Sequence, residues 1–179
     1  DGCSSGIVRL DNATDLKTYL NLIGSGKPRI ASGEMTHVNT PVELPQSLPE
    51  FLLFETFVRS DRPIIQGNKL NWERLSGWVE ITVGVLGYRG QMRALKPSIT
   101  VTSGDILSLE EKFQGGTGVN ITPPPEPWVT KESWQKAQTK IEFVAQKLGI
   151  NGFARIDAFR QIETGNILVI EANSIPGLT

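Results

Sequence analysis

The sequence predicts an α+β fold with antiparallel sheets, on three observations. The chain closes on two short apolar stretches, 152–159 and 167–177, separated by a polar turn, which is the pattern of a β-hairpin. Residues 78–88 and 91–101 repeat that pattern and are joined through Gly87 and Gly90. Two segments with apolar spacing near 3.6, one in each half of the chain, read as helices with start and stop signals. Strands next to each other in sequence and helices set apart from them favour antiparallel pairing over βαβ units.

In chain order, residues 1–6 (Asp-Gly-Cys-Ser-Ser-Gly) form a small-residue loop, and residues 7–10 are a short apolar stretch. Asp11 or Asn12 can cap a helix to Ile23, with Leu16, Tyr19, Leu20 and Ile23 on its apolar face and Gly24-Ser25-Gly26 as its stop. Residues 27–50 carry Pro28, Pro41, Pro45 and Pro49 and read as irregular with short strands. Residues 51–58 are a strand candidate. Residues 60–77 are polar and read as a hairpin or protruding loop ahead of the 78–88 and 91–101 pair. Residues 103–127 form a long loop with Gly115-Gly116-Thr117-Gly118 and a proline run, the kind of segment that serves as a lid. Thr130 caps a helix to Leu148, stopped by Gly149, with Trp134, Ala137, Ile141, Ala145 and Leu148 as its stripe. The closing hairpin follows, turning through 163–166.

Composition narrows the function. With 18 Lys and Arg against 19 Asp and Glu, no general case exists for nucleic acid or a membrane surface. No apolar run approaches the ~20 residues of a membrane span, and no signal peptide is visible. A single cysteine, Cys3, excludes an internal disulfide and a cysteine-based zinc site. A single histidine, His37, excludes a multi-histidine metal site, and no Gly-x-Ser-x-Gly elbow supports a serine triad. At 179 residues the chain fits one ordinary domain. It opens without Met and stops just after a Pro-Gly, so both ends are expected to be cut from something longer.

The hairpin carries the chemistry. Folded about Thr164, it sets Asp157 opposite Glu171 and Arg155 opposite Asn173, with all four on one face. Two carboxylates directly opposite sit roughly 5 Å apart at Cβ and repel each other. Oxygen-only ligands around such a pair favour a hard cation such as Mg²⁺, which usually accompanies phosphate. The competing reading is a half-exposed hairpin whose acids face water. Pro176-Gly177, which forces a turn just beyond the polar cluster, argues against it. The opening Gly- and Ser-rich loop has the parts of a phosphate cradle, though a plain turn explains it equally well and no Walker lysine follows. Lys112, ahead of the glycine-rich stretch, could reach phosphates as a point charge; a solvated charge run explains it as well. Arg155 is either a salt-bridge partner for the acids or a group that steadies charge on a transferred phosphoryl group or a tetrahedral oxyanion.

Phe153-Ala154-Arg155-Ile156-Asp157 followed by Glu171-Ala172-Asn173-Ser174-Ile175-Pro176-Gly177-Leu178-Thr179 resembles the C-terminal signature of ATP-grasp ligases, above all the D-alanine–D-alanine ligases. Over most of the chain other segments resemble the family in order. Residues 1–6 look like its phosphate-covering loop, 54–58 like its adenine-binding segment, 80–87 like the next strand and 111–113 like its lysine-bearing lid. The resemblance implies an ATP-grasp fold, two lobes with antiparallel sheets and helices clamping nucleotide. It also implies an ATP-dependent carboxylate–amine ligase that works through an acyl phosphate. By it, Asp157, Glu171 and Asn173 hold two Mg²⁺ ions, or Mn²⁺ in their place, with Glu171 bridging. Lys112 and Ser4 contact phosphates. Glu55, the Phe57-Val58 backbone and Glu80 hold the nucleoside. Arg155, the Gly177 N–H and Ser4 serve the reaction itself.

The same resemblance assigns residues 1–58 to part of an N-terminal lobe, 59–77 to an insertion and 78–179 to a C-terminal lobe with the metal-binding hairpin. Cys3 and Phe113 stand where the family usually has serine and tyrosine, which leaves the substrate open among amino acids, hydroxy acids and peptides. The implied protein is cytoplasmic, contributes to peptidoglycan biosynthesis, takes small-molecule substrates and binds neither nucleic acid nor membrane. It relies on an N-terminal domain of the same chain, without which these residues are expected to be inactive, and a homodimer of the full-length protein is open. Other ATP-grasp ligases, for peptides or natural products, and a non-catalytic ATP-binding module are the rival readings.

Overall fold

A computed structural model describes residues 6–47, 49–66, 69–88, 90–101, 119–126, 129–174 and 176. The chain divides into two compact units, Asp1–Phe57 and Val58–Thr179.

The first unit is organised around helix α1, Ala13–Gly24. Asn12 caps it, its Oδ1 accepting from the backbone N–H groups of Thr14 (2.8 Å) and Asp15 (2.9 Å). The buried face is Asp15, Tyr19 and Leu22 rather than the expected 16–19–20–23 stripe, and Leu20 is exposed. The reason is polar. Asp15 turns inward because its carboxylate accepts from the Asp11 N–H at 3.0 Å, the Asn12 amide at 3.1 Å and the Thr36 hydroxyl at 3.1 Å. That rotates the helix by about one residue relative to an all-apolar choice. Strands β1 (Arg29–Ile30) and β2 (Val42–Glu43) pair antiparallel, and Tyr19, Leu22, Ile30, Met35, Val38 and Leu44 close the core. Residues 51–58 are not a strand: among the described residues no strand pairs with them, and Phe51 and Leu53 are 81% and 83% exposed. Apolar content alone makes no strand where no backbone stands ready to pair.

The second unit opens with the hairpin β3 (Arg62–Gln66) and β4 (Lys69–Glu73), within the expected 60–77 region. Its main sheet has strand order β10-β9-β5-β6, all neighbours antiparallel, from β5 (Trp78–Tyr88), β6 (Gln91–Ala94), β9 (Gly152–Gln161) and β10 (Ile167–Asn173). The expected strand 91–101 is two pieces: β6 ends at Ala94, and β7 (Ile99–Val101) pairs with β8 (Val119–Ile121). Part of the expected 103–127 loop is therefore strand, and residues 103–118 and 127 of that loop lie outside the described residues.

Helix α2, Lys131–Lys147, is capped by Thr130, whose Oγ1 accepts from the Ser133 N–H. It buries Ala137, Ile141 and Ala145, and packs Ile141 and Ala145 with Val79, Ile81, Val83 and Val85 of β5 and Ala154, Ile156 and Ala158 of β9. Leu148, expected in that stripe, is exposed, because the helix has ended before it. At the open edge of the sheet the Gln138 amide donates to the Ala94 carbonyl at 2.8 Å and the Glu142 carboxylate accepts from the Ala94 N–H at 3.0 Å. Two helix side chains thus satisfy the edge backbone that a further strand would otherwise take. Arg160, on the helix-facing side of β9, is fully buried and hydrogen-bonds the Ser133 hydroxyl; burial draws its pKa down from the usual arginine value. Among the described residues no helix is long and apolar enough to cross a membrane.

The hairpin turn lies one residue earlier than the expected 163–166. Gln161 N–H donates to the Asn166 carbonyl at 2.8 Å, so the loop is residues 162–165. Near the turn Ile167 faces Arg160, Leu168 faces Phe159 and Val169 faces Ala158; past an irregularity at Ile170, Glu171 faces Asp157, Ala172 faces Ile156 and Asn173 faces Arg155. Ile170 is the extra residue of a β-bulge. Without that extra step the register would set Glu171 across from Ile156, on the helix-covered face. The bulge brings Glu171 and Asn173 back to the other face, and the pairing expected at the polar cluster is reached by this different route.

Candidate functional site

The sheet face away from α2 carries the polar cluster. Alternation sets Glu80, Thr82 and Gly84 of β5 on that face, opposite Phe159, Asp157 and Arg155 of β9. Glu171 and Asn173 of β10 complete it. Asp157 lies at the centre and is 8% exposed. Its Oδ1 accepts from the Thr82 hydroxyl at 2.9 Å and from Arg155 Nε at 3.1 Å. Its Oδ2 accepts from Arg155 Nη2 at 2.8 Å, Arg155 Nε at 3.1 Å and Asn173 Nδ2 at 3.3 Å. Asn173 Nδ2 also donates to Glu171 Oε1 at 3.2 Å, and Arg155 Nη2 stands 3.8 Å from that oxygen.

Arg155, Asp157, Glu171 and Asn173, expected to meet from the sequence, therefore do meet. The charge balance differs from a bare acid pair: the Arg155 guanidinium already partners Asp157. Among the described residues no three His, Cys, Asp or Glu side chains gather. The hard-ion donors gathered at Asp157 are the Asp157 and Glu171 carboxylates, the Asn173 amide and the Thr82 hydroxyl, all offering oxygen, which suits Mg²⁺ or Mn²⁺ rather than a soft metal. The Asn173 nitrogen touches both carboxylates, so one point lies within about 3.3 Å of an oxygen of each. The donor set fits a divalent cation.

The other expected residues are placed as follows. Glu80 shares the Asp157 face, one alternate position along β5 from Thr82, and is half-buried. Glu55 and Phe57 are exposed in the extended segment of the first unit, and Val58 begins the second. Ser4, Lys112 and Gly177 lie outside the described residues, as do Cys3 and Phe113.

Two residues were missed at the sequence level. Thr82 directly faces Asp157; the alternation Glu80-x-Thr82-x-Gly84 holds the signal, but only once β5 is known to pair with β9. Asp61, 3% exposed, accepts from three consecutive N–H groups, Leu75 (2.8 Å), Ser76 (2.7 Å) and Gly77 (2.8 Å), while Trp72 Nε1 donates to its other oxygen at 3.1 Å. It shapes the turn that feeds β5 and hence the placement of Glu80. An Asp ahead of a Ser-Gly turn is a weak signal, since its partners lie 11 to 16 residues away.

Residues 66–179 match the family described as D-ala D-ala ligase C-terminus, a stretch that includes Glu80, Thr82 and the whole hairpin but not residues 55–58. A D-alanine–D-alanine ligase of Carboxydothermus hydrogenoformans is 32% identical over 102 residues, 56% of this chain and 31% of that protein. One of Trichlorobacter lovleyi is 26% identical over 168 residues, 94% of this chain and 47% of that protein. Among solved structures, the biotin carboxylase domain of a thermophilic 2-oxoglutarate carboxylase, bound to bicarbonate, aligns with a TM-score of 0.41 at 19% identity, covering 61% of this chain and 22% of that one. The chain spans about a quarter to a half of the length of the curated relatives it matches. With well over half of its residues matched, the chain belongs to the D-Ala-D-Ala ligase C-terminal family.

Proposed function

We propose that the chain is the nucleotide- and metal-handling part of an ATP-dependent carboxylate–amine ligase of the D-alanine–D-alanine ligase type. The observation that carries this reading is the cluster of Asp157, Glu171, Asn173 and Arg155, brought onto one sheet face by the bulge at Ile170. Asp157, Glu171 and Asn173 would hold Mg²⁺, with Mn²⁺ as substitute and two ions in the full site. When bound, the ion offsets phosphate charge and polarises a phosphoryl oxygen.

The chain's own groups do the rest. Thr82 orients the Asp157 carboxylate from the neighbouring strand. Glu80, on the same face, would meet a nucleoside hydroxyl. Arg155 supplies a guanidinium where negative charge builds on an oxygen, which it can meet with two parallel N–H groups. Ser4, Lys112 and the Gly177 N–H are assigned to phosphate and oxyanion contacts on the family pattern. The substrate carboxylate takes the γ-phosphoryl group of ATP and ADP leaves; an amine then attacks the acyl phosphate, loses a proton and displaces phosphate to form the amide. Most contacts to the first substrate would come from the N-terminal domain that the longer relatives possess.

The test uses the full-length protein that contains this chain. ADP release on adding D-alanine should require Mg²⁺ and ATP and fall by ~10²-fold or more in Asp157→Asn with Glu171→Gln, as loss of metal-site residues does. Retained activity in that double variant sinks the metal assignment. ADP release that D-alanine never stimulates, but another amino acid or peptide does, sinks the D-alanine reading and favours a different amide ligase.

A further inference from the structure

We propose that Arg155 is the resident counter-ion of the acidic pair and leaves Asp157 when the pair takes up a divalent cation, so that its guanidinium turns to substrate only in a loaded site. This rests on the metal-site reading above and goes beyond it.

The argument starts from the capacity of one carboxylate. An ionised Asp offers about four lone-pair positions. Four donor groups already fill them: the Thr82 hydroxyl on Oδ1, Arg155 Nε shared between Oδ1 and Oδ2, and Arg155 Nη2 and Asn173 Nδ2 on Oδ2. Two of the four come from Arg155. A cation cannot reach Asp157 unless a resident donor gives way, and the three donor residues differ in how readily they do so.

Thr82 is a short β-branched side chain whose backbone is paired on both sides, with Asp157 of β9 and with Ser98, so its hydroxyl has little freedom. It is neutral and tolerates a nearby cation. Asn173 can turn its amide and present oxygen where it now presents nitrogen. Arg155 alone carries positive charge, which a second cation at the same carboxylate repels. Its side chain is 32% exposed against 11% for Asp157, so it has water to move into and a long stem to move on. With Nη2 already 3.8 Å from Glu171, it serves both acids at once, which is the job of a placeholder for an ion.

Two consequences follow. In the free protein Arg155 competes with metal and lowers its affinity. On release it carries the same two-pronged donor set, now unspent, to an anionic oxygen. Metal loading and presentation of the guanidinium thereby become one event.

The test is Mn²⁺ binding to the full-length protein without nucleotide, read as free Mn²⁺ by electron paramagnetic resonance. Arg155→Gln should bind Mn²⁺ roughly tenfold tighter than the unsubstituted protein, equivalent to about 1.4 kcal/mol. Arg155→Lys, which keeps the charge and loses the paired contact, should show a smaller gain and serves if Arg155→Gln fails to fold. In a second measurement, Mg²⁺ should shift the Arg155 Nε–H resonance of the unsubstituted protein. If Asp157→Asn and Glu171→Gln abolish Mn²⁺ binding while both Arg155 variants bind as the parent does or more weakly, the exchange is wrong and the metal site stands. If Asp157→Asn and Glu171→Gln bind Mn²⁺ as the parent does, the metal-site reading fails and the exchange fails with it.

Discussion

Asp61→Ala should be among the most damaging single changes in the second unit although Asp61 touches no proposed ligand. Its Oδ1 accepts from three successive N–H groups, at 2.7–2.8 Å, in the turn that enters β5. Removing it strands those donors and the Trp72 indole N–H together. A buried unsatisfied donor costs about 1–3 kcal/mol. Gly77 is buried, whereas Ser76 is exposed and its N–H can turn to water, so the full penalty does not apply to all. The expected loss is roughly 3 kcal/mol or more, a large part of the ~5–15 kcal/mol stability of an ordinary domain. Asp61→Asn keeps the Oδ1 acceptor but turns a donor toward Trp72, for about 1–2 kcal/mol, and Trp72→Phe should cost about 1 kcal/mol. Tryptophan fluorescence during urea unfolding is the assay, because every tryptophan lies in the second unit. A loss below ~1 kcal/mol for Asp61→Ala at unchanged m would show that the turn holds itself and that the carboxylate merely decorates it.

Other expectations concern single contacts. Thr82→Val should weaken Mn²⁺ binding by ~10-fold with Thr82→Ser restoring it, since only the hydroxyl orients Asp157; equal binding by Val and Ser variants would dismiss that role. Gly165→Ala should destabilise by more than ~2 kcal/mol, because Gly165 has φ +69° and a Cβ there would meet the Ser133 carbonyl oxygen at 2.7 Å; a thermal midpoint within a degree of the parent contradicts this. In the first unit the His37 hydrogen bond and the Arg9 ion pair hold the Asp11 carboxyl below its ordinary value, so this contribution is present above the unfolded Asp pKa and is lost as pH falls through the lower folded one. Carboxylate titration by NMR should show the Asp11 pKa rising in His37→Ala, and an unmoved curve would remove His37 from the account. Ile141→Ala, in the sheet-facing stripe of α2, should cost roughly 2–5 kcal/mol by urea unfolding, and a loss under 1 kcal/mol would mean that the stripe is not the core.

What the sequence determined by itself is local. Asn12 and Thr130 cap their helices through bonds that span three residues or fewer, so the caps were legible. The two-residue alternation of 152–159 and 167–173, with a polar turn between them, pointed to the meeting of Arg155, Asp157, Glu171 and Asn173, although the sheet reaches it through a bulge. The buried face of α1 was not legible, because Asp15 is held inward by Thr36, 21 residues away. Apolar residues 51–58 looked like a strand only while nothing said whether a partner backbone existed. Thr82 joined the site through a contact across 75 residues, which depends on β5 lying beside β9. The bulge at Ile170 is likewise a property of the assembled sheet. Spacing along the chain fixes which side chains share a face within one strand or one hairpin. Which strands lie side by side, and where an extra residue is absorbed, is decided by the competition among all strands for backbone partners and for the cover of α2, and that competition exists only in three dimensions.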